Sequence, residues 1–181
     1  VRTQAVSSFL VHLHRVETVV SGGSSDVAFL RFLSTIVASG IRIVDSNLNS
    51  TSGAQKAVLT NGAISGGFDF LVERSSLDIV DFSSDISSVT AFHVRASHVG
   101  QLAFTGSGSI ASGSSINIAS THFRSFGAAE RSAQLLFQSS MYGTELLIRD
   151  SIFFSTSTIG DTSNILFDSA GSLMAASRVV V

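Results

Sequence analysis

Apolar and polar positions alternate along this chain in short bursts separated by hydroxyl-bearing residues, and one ten-position pattern returns from end to end. It reads apolar, any, apolar, any, any, Ser or Thr, any, apolar, any, Ser. Three copies match at every defined position: Ile41, Ile43, Ser46, Leu48 and Ser50; Ile116, Ile118, Thr121, Phe123 and Ser125; Leu146, Ile148, Ser151, Phe153 and Ser155. Leu30, Phe32, Thr35, Val37 and Ser39 make a fourth, and copies starting at Phe70, Phe92 and Leu135 lack only the final Ser. Val11-His12-Leu13 opens a degenerate copy with Val16 at the hydroxyl position, and a weak one starts at Ile165. Residues two apart on a strand share a face, so the first and third positions predict a strand with one buried side. The next two positions turn the chain, after which the hydroxyl and the following apolar residue point inward again. Helical periodicity is weak; Ala128 to Ser139, which has no breaker, is the one stretch with room for a helical turn in a loop.

Spacing turns the pattern into an architecture. The copies begin at 11, 30, 41, 70, 92, 116, 135, 146 and 165; a step of 19 runs from 11 to 30, 116 to 135 and 146 to 165, and one of 30 from 11 to 41 and 116 to 146. A coil of about 30 residues carrying two strands explains both intervals, and the intermediate coils of 29, 22 and 24 residues are the variation that stacked architectures absorb in loops. The expected fold is all-β: a right-handed parallel β-helix, or solenoid, of about six coils, forming a single domain over residues 1–181. Coils stacked at about 4.8 Å bring Thr35, Ser46, Ser75, Ser97, Thr121, Ser140 and Ser151 into one hydroxyl ladder near a corner, each hydroxyl bonding to the backbone. The competing reading is an antiparallel β-sandwich, and Asn61-Gly62, between Val58-Leu59 and Ile64, is its best hairpin signal.

With these motifs the chain resembles the right-handed parallel β-helix, pectin-lyase-like superfamily over residues 11 to 173, although Ser or Thr stands where that superfamily usually places a corner Asn. The hydroxyl-rich coils, with Leu147-Ile148-Arg149-Asp150-Ser151-Ile152-Phe153-Phe154 among them, also look like the dispersed-gene-family surface proteins of trypanosomes. That resemblance implies an extracellular or cell-surface location.

Composition narrows the function. The chain is 44% hydrophobic and only 13% charged, and its polarity comes mostly from 35 Ser and 12 Thr. Fourteen Phe among many aliphatic residues argue for a packed core over disorder. Eleven basic residues scattered without a run, at net charge −2, do not form a nucleic-acid footprint. No Cys is present, so disulfides and thiolate chemistry are excluded. No apolar run approaches the roughly 18 residues of a membrane span. The chain opens on Val1-Arg2-Thr3 and closes on Val179-Val180-Val181, and it is expected to continue into neighbouring coils or to oligomerise through its ends.

Candidate chemistry is sparse. Polysaccharide lyases and hydrolases on the resembling fold need acids aligned across coils, and in the coil register Asp45, Glu73, Asp150 and Asp168 are not expected to converge. Asp78, Asp81 and Asp85 offer oxygen ligands but read as a solvated acidic loop. His98 and His122 share the seventh motif position on adjacent coils; two imidazoles without a third ligand make a poor site and read as an exposed pair. Gly-x-Ser-x-Gly is absent, so no catalytic, metal or cofactor residue is assigned. The outward second position holds His12, Arg31, Arg42, His93 and Asn117, a polar stripe suited to a glycan or protein ligand. Asn49-Ser50-Thr51 is a glycosylation sequon at an expected corner. The expected function is a non-catalytic structural or adhesive surface solenoid; the alternative is a fragment of a carbohydrate-active β-helix enzyme.

Overall fold

The computed structural model describes residues 5–20, 28–50, 56–125, 133–155, 164–168 and 177–181. In chain order its strands are β1 (Ala5–Ser7), β2 (Leu10–His14), β3 (Glu17–Val20), β4 (Ala28–Phe32), β5 (Thr35–Val44), β6 (Asn47–Ser50), β7 (Lys56–Thr60), β8 (Ile64–Glu73), β9 (Ser76–Phe82) and β10 (Thr90–Arg95). There follow β11 (His98–Phe104), β12 (Ser109–Ile110), β13 (Ser115–Ala119), β14 (His122–Ser125), β15 (Leu135–Phe137), β16 (Ser140–Met141), β17 (Glu145–Arg149), β18 (Ile152–Ser155), β19 (Ile165–Phe167) and β20 (Arg178–Val180). There is no helix among the described residues. The described part of the Ala128 to Ser139 stretch holds β15, and Ala128 to Ser132 lie outside the described residues.

Every described pairing is parallel, which the sandwich alternative does not accommodate. The first sheet runs β1-β5-β8-β10-β13-β17-β20, with β2 also on β5; the second contains β18-β14-β11-β9-β6-β3, with β4, β7, β15 and β19 extending it. Asn61-Gly62 is not a hairpin. The chain leaves the second sheet at Thr60 and enters the first at Ile64, the Asn61 N–H donating to Phe32 O at 2.8 Å.

Register explains the core. Ile41, Phe70, Phe92, Ile116 and Leu146 are successive partners across the first sheet, as are Ile43, Val72, Val94, Ile118 and Ile148. All ten are buried, the expected inward set of the pattern. The second sheet aligns Leu48, Leu77, Val99, Phe123 and Phe153, then Val58, Val80, Leu102, Leu135 and Ile165. Beside these, Phe82, Phe104, Phe137 and Phe167 form a column with ring centroids 5.4, 5.1 and 4.9 Å apart. Such contacts add to the area each ring removes from water. The copies beginning at Leu30 and Leu135 therefore start in the second sheet, out of frame with those at 41 and 116.

The corner between the two sheets is built the same way each time. Arg15, Asp45, Arg74, Ala96, Ser120 and Asp150 hold φ between 47° and 55°, a left-handed conformation that costs a non-glycine residue roughly 1–2 kcal/mol. Hydrogen bonds to the next hydroxyl residue offset that strain. The N–H groups of Val16, Ser46, Ser75 and Thr121 donate to the hydroxyls of Ser46, Ser75, Ser97 and Ser151 at 3.0–3.2 Å. In turn, the hydroxyls of Ser46, Ser75, Ser97, Thr121 and Ser151 donate to the carbonyl two residues earlier. A hydroxyl thus does at this corner what a side-chain amide would do, satisfying one buried donor and one acceptor. Thr35 and Ser140, expected in this row, belong elsewhere: Thr35 pairs with Ala5 and Ser140 with Ser109. A second hydroxyl row, unforeseen in the sequence, lies at the opposite end of the first sheet, where Thr90 N–H donates to Ser114 Oγ at 3.2 Å and Thr144 N–H to Ser177 Oγ at 3.4 Å.

Candidate functional site: a charged corner

Because the left-handed residue reverses the chain, its side chain and that of its predecessor are thrown out of the corner. Strand pairing then stacks these side chains in a column. His14, Arg15, Asp45, Glu73, Arg74 and Arg95 meet there. Arg74 grips Asp45 with two parallel bonds, Nε to Oδ1 at 2.7 Å and Nη2 to Oδ2 at 3.1 Å, the bidentate fork that suits guanidinium to carboxylate. Its Nη1 also donates to the Glu73 carboxylate, whose other oxygen lies 3.4 Å from Arg95 Nη2. His14 Nε2 closes the far end, 3.4 Å from Asp45 Oδ2. Beside this chain of charges lies a shallow groove of about 510 Å³, whose walls include Arg15, Glu17, Asn47, Ser76 and His98.

Asp45 and Glu73 were not expected to converge, yet one guanidinium bridges them. The reason is local: Glu73 and Arg74 are adjacent at a corner, and Asp45 occupies the same corner one strand earlier. Asp150 stands at that position three strands beyond Arg74, and Asp168 follows β19 in the second sheet, where Gln138 Nε2 donates to it at 3.0 Å. Comparison with known proteins adds nothing here. No family model, curated protein or solved structure matches the chain.

The Arg74 hydrogen bonds hold the Asp45 carboxyl below its ordinary value of 3.8, outweighing partial burial, with the charges of Arg74 and His14 acting in the same direction. Arg74 is raised by the same partnership. A general acid needs a carboxyl pushed upward, so Asp45 is suited to an ion pair and not to proton donation near neutrality. The sign for stability follows from linkage. A depressed folded value contributes stability that is present above pH 3.8 and lost as pH falls through the lower folded value. Urea unfolding of the native chain and of Asp45→Asn should therefore differ most at pH 6 and converge below pH 3.8; a gap that widens on acidification contradicts this.

Four of the five residues expected in an outward stripe share a row: His12 and Arg42 are exposed, His93 and Asn117 partly so. His12, Arg42, His93 and Asn117 lie on one row of the first sheet, with Leu71 between Arg42 and His93. Arg42 Nη2 also bonds Asp69 Oδ2 at 3.1 Å. Arg31 is not a member: it sits on β4 in the second sheet, opposite Leu59, because the Leu30 copy begins in that sheet. Asn49 lies within β6, not at a corner, and its Nδ2 donates to Asn47 Oδ1 and Ser76 Oγ, both at 2.7 Å. A glycan on that nitrogen would replace one of the two hydrogens these bonds use; Thr51 of the sequon lies outside the described residues.

The three clustered acids do not form the expected solvated loop: Asp78 and Asp81 both lie in β9 and are buried. Asp81 is buried and held by Lys56 Nζ at 2.8 Å and by Thr105 Oγ1 at 2.7 Å, while Asp85 is exposed beside Gly108. No group of three or more His, Cys, Asp or Glu able to hold a metal occurs among the described residues. His98 and His122 are brought together as direct strand partners, both exposed, with ring centroids 5.0 Å apart.

Proposed function

We propose that this chain is a stretch of right-handed parallel β-helix serving as a non-catalytic binding or scaffolding surface at the cell exterior, with a glycan or protein as its ligand. The winding is supported by the order of the first sheet, in which the strands holding the copies that begin at 11, 41, 70, 92, 116 and 146 pair in parallel in chain order. The observation that carries the functional reading is the bidentate hold of Arg74 on Asp45. It leaves the most prominent carboxylate of the groove ionised and already bonded. A shallow trough walled by Arg, Glu, Asn, Ser and His side chains offers many hydrogen bonds to hydroxyl-bearing or peptide ligands. The likeness to trypanosome dispersed-gene-family surface proteins is part of the same proposal, as is the extracellular location.

A second reading has one observation in its favour. Asp45 and Glu73 meet at Arg74, and a pair of nearby carboxyls is what glycoside cleavage uses. The two readings separate in one experiment: the chain is presented to a glycan array and incubated with a broad set of polysaccharides. Retention of a glycan, weakened by Arg74→Ala and unaccompanied by release of reducing or unsaturated ends, supports the binding surface. Turnover abolished by both Asp45→Asn and Glu73→Gln overturns it in favour of the enzyme.

A further inference from the structure

His98 and His122 stand on β11 and β14 as direct partners of a parallel ladder, and both side chains are exposed. Their ring centroids lie 5.0 Å apart, with the ring planes 75° from parallel. The neighbouring positions of the row are Ser76 on one side and Ile152 on the other, so no charged side chain stands directly opposite either ring along the ladder. We propose that these two imidazoles, too few to enclose a structural zinc site, instead form an open surface chelate for a borderline divalent transition ion, of the Cu(II), Ni(II) or Zn(II) class, with water filling the remaining positions.

The geometry that points there is the centroid separation. A ring nitrogen bonds such an ion at about 2.0–2.1 Å, which puts the ion about 3.2 Å from the ring centroid. Two rings on one ion then have centroids about 4.5 Å apart at a right angle and about 5.2 Å apart at the tetrahedral angle. The observed separation falls inside that interval without any backbone movement. Exposed rings turn freely about their side-chain bonds, so bringing a nitrogen of each to the shared position requires rotation alone. Strand pairing fixes the two Cα atoms, and the second imidazole is therefore supplied at high effective concentration. Imidazole nitrogen suits these ions, and Cu(II) is the strongest binder among them.

The other close pair of histidines provides an internal comparison. His12 and His14 have centroids 6.1 Å apart, wider than the roughly 4.5–5.2 Å that adjacent positions on one ion allow, and His14 already faces Asp45. The test is titration of the chain with Cu(II), followed by calorimetry and by electron paramagnetic resonance, beside His98→Ala, His122→Ala and a His12→Ala/His14→Ala variant. One ion per chain is expected, with a spectrum carrying two nitrogen ligands. Affinity should fall at least about tenfold in either single variant and remain unchanged in the His12/His14 variant. Circular dichroism verifies that the variants keep their sheet content, as replacement of exposed rings requires. Binding that is insensitive to His98→Ala and His122→Ala, or absent from the native chain, overturns the proposal.

Discussion

Phe104→Ala is expected to destabilise the chain by about 3–5 kcal/mol, the usual cost of removing a fully buried ring without collapse of the space it leaves. Phe104 has no exposed surface. Its ring stacks on Phe82 at 5.4 Å and Phe137 at 5.1 Å and meets Phe92 edge-on at 5.1 Å. Removing it empties the middle of a column, and its neighbours are fixed in place by ladders above and below. Phe29, which is 43% exposed, provides the comparison, since its replacement by Ala should change stability by no more than about 0.5 kcal/mol. Urea midpoints for the two variants measure the contrast. Equal losses would mean that the aromatic column is not the centre of the core.

Gly62→Ala is expected to cost at least about 3 kcal/mol, the upper end of what overpacking exacts. A Cβ at Gly62 would stand 2.0 Å from Ser34 O and 2.7 Å from Thr35 N. Both are backbone atoms that rotation cannot clear. The cause is steric and not conformational, which Gly67 helps to establish: its φ is +83°, but nothing lies within 4 Å of a Cβ built there. Gly67→Ala should pay only the left-handed penalty of roughly 1–2 kcal/mol. If Gly67→Ala proves the more damaging in the same unfolding measurement, the close approach of Gly62 to the Ser34 backbone is wrong.

Inward residues were legible because strand geometry makes them so. Period-two alternation at Ile41 and Ile43, or Ile116 and Ile118, has one meaning once the residues between are polar, and the hydroxyl that follows marks the corner. What the pattern could not give was frame. Leu30-Arg31-Phe32 fits the ten positions as well as Ile41-Arg42-Ile43, because both sheets bury alternate apolar residues; only the pairing partner tells them apart, and that misplaced Arg31, Thr35 and Ser140. The charged corner escaped for a related reason. Asp45 and Arg74 share the position before the hydroxyl, and a search for paired acids treats Arg74 as a spacer between Asp45 and Asp150 when it is the partner of Asp45 one strand above. Its signal was present in the sequence as opposite charges in one motif column. Asn61-Gly62 misled because its turn chemistry suits a hairpin while its flanks belong to different sheets.

The central claim is that successive copies of the motif stack along one axis, so that residues far apart in sequence lie on a straight row. His12 and Leu147 are the test, since they occupy one row of the first sheet five strand spacings apart, through Arg42, Leu71, His93 and Asn117. At about 4.8 Å per spacing their Cα atoms should be roughly 24 Å apart. Spin labels on cysteines introduced at the two positions, measured by pulsed electron resonance, should give a single narrow distribution near that distance. A broad distribution, or one centred beyond about 35 Å when the stacking requires roughly 24 Å, would contradict the stacking and the proposed surface with it.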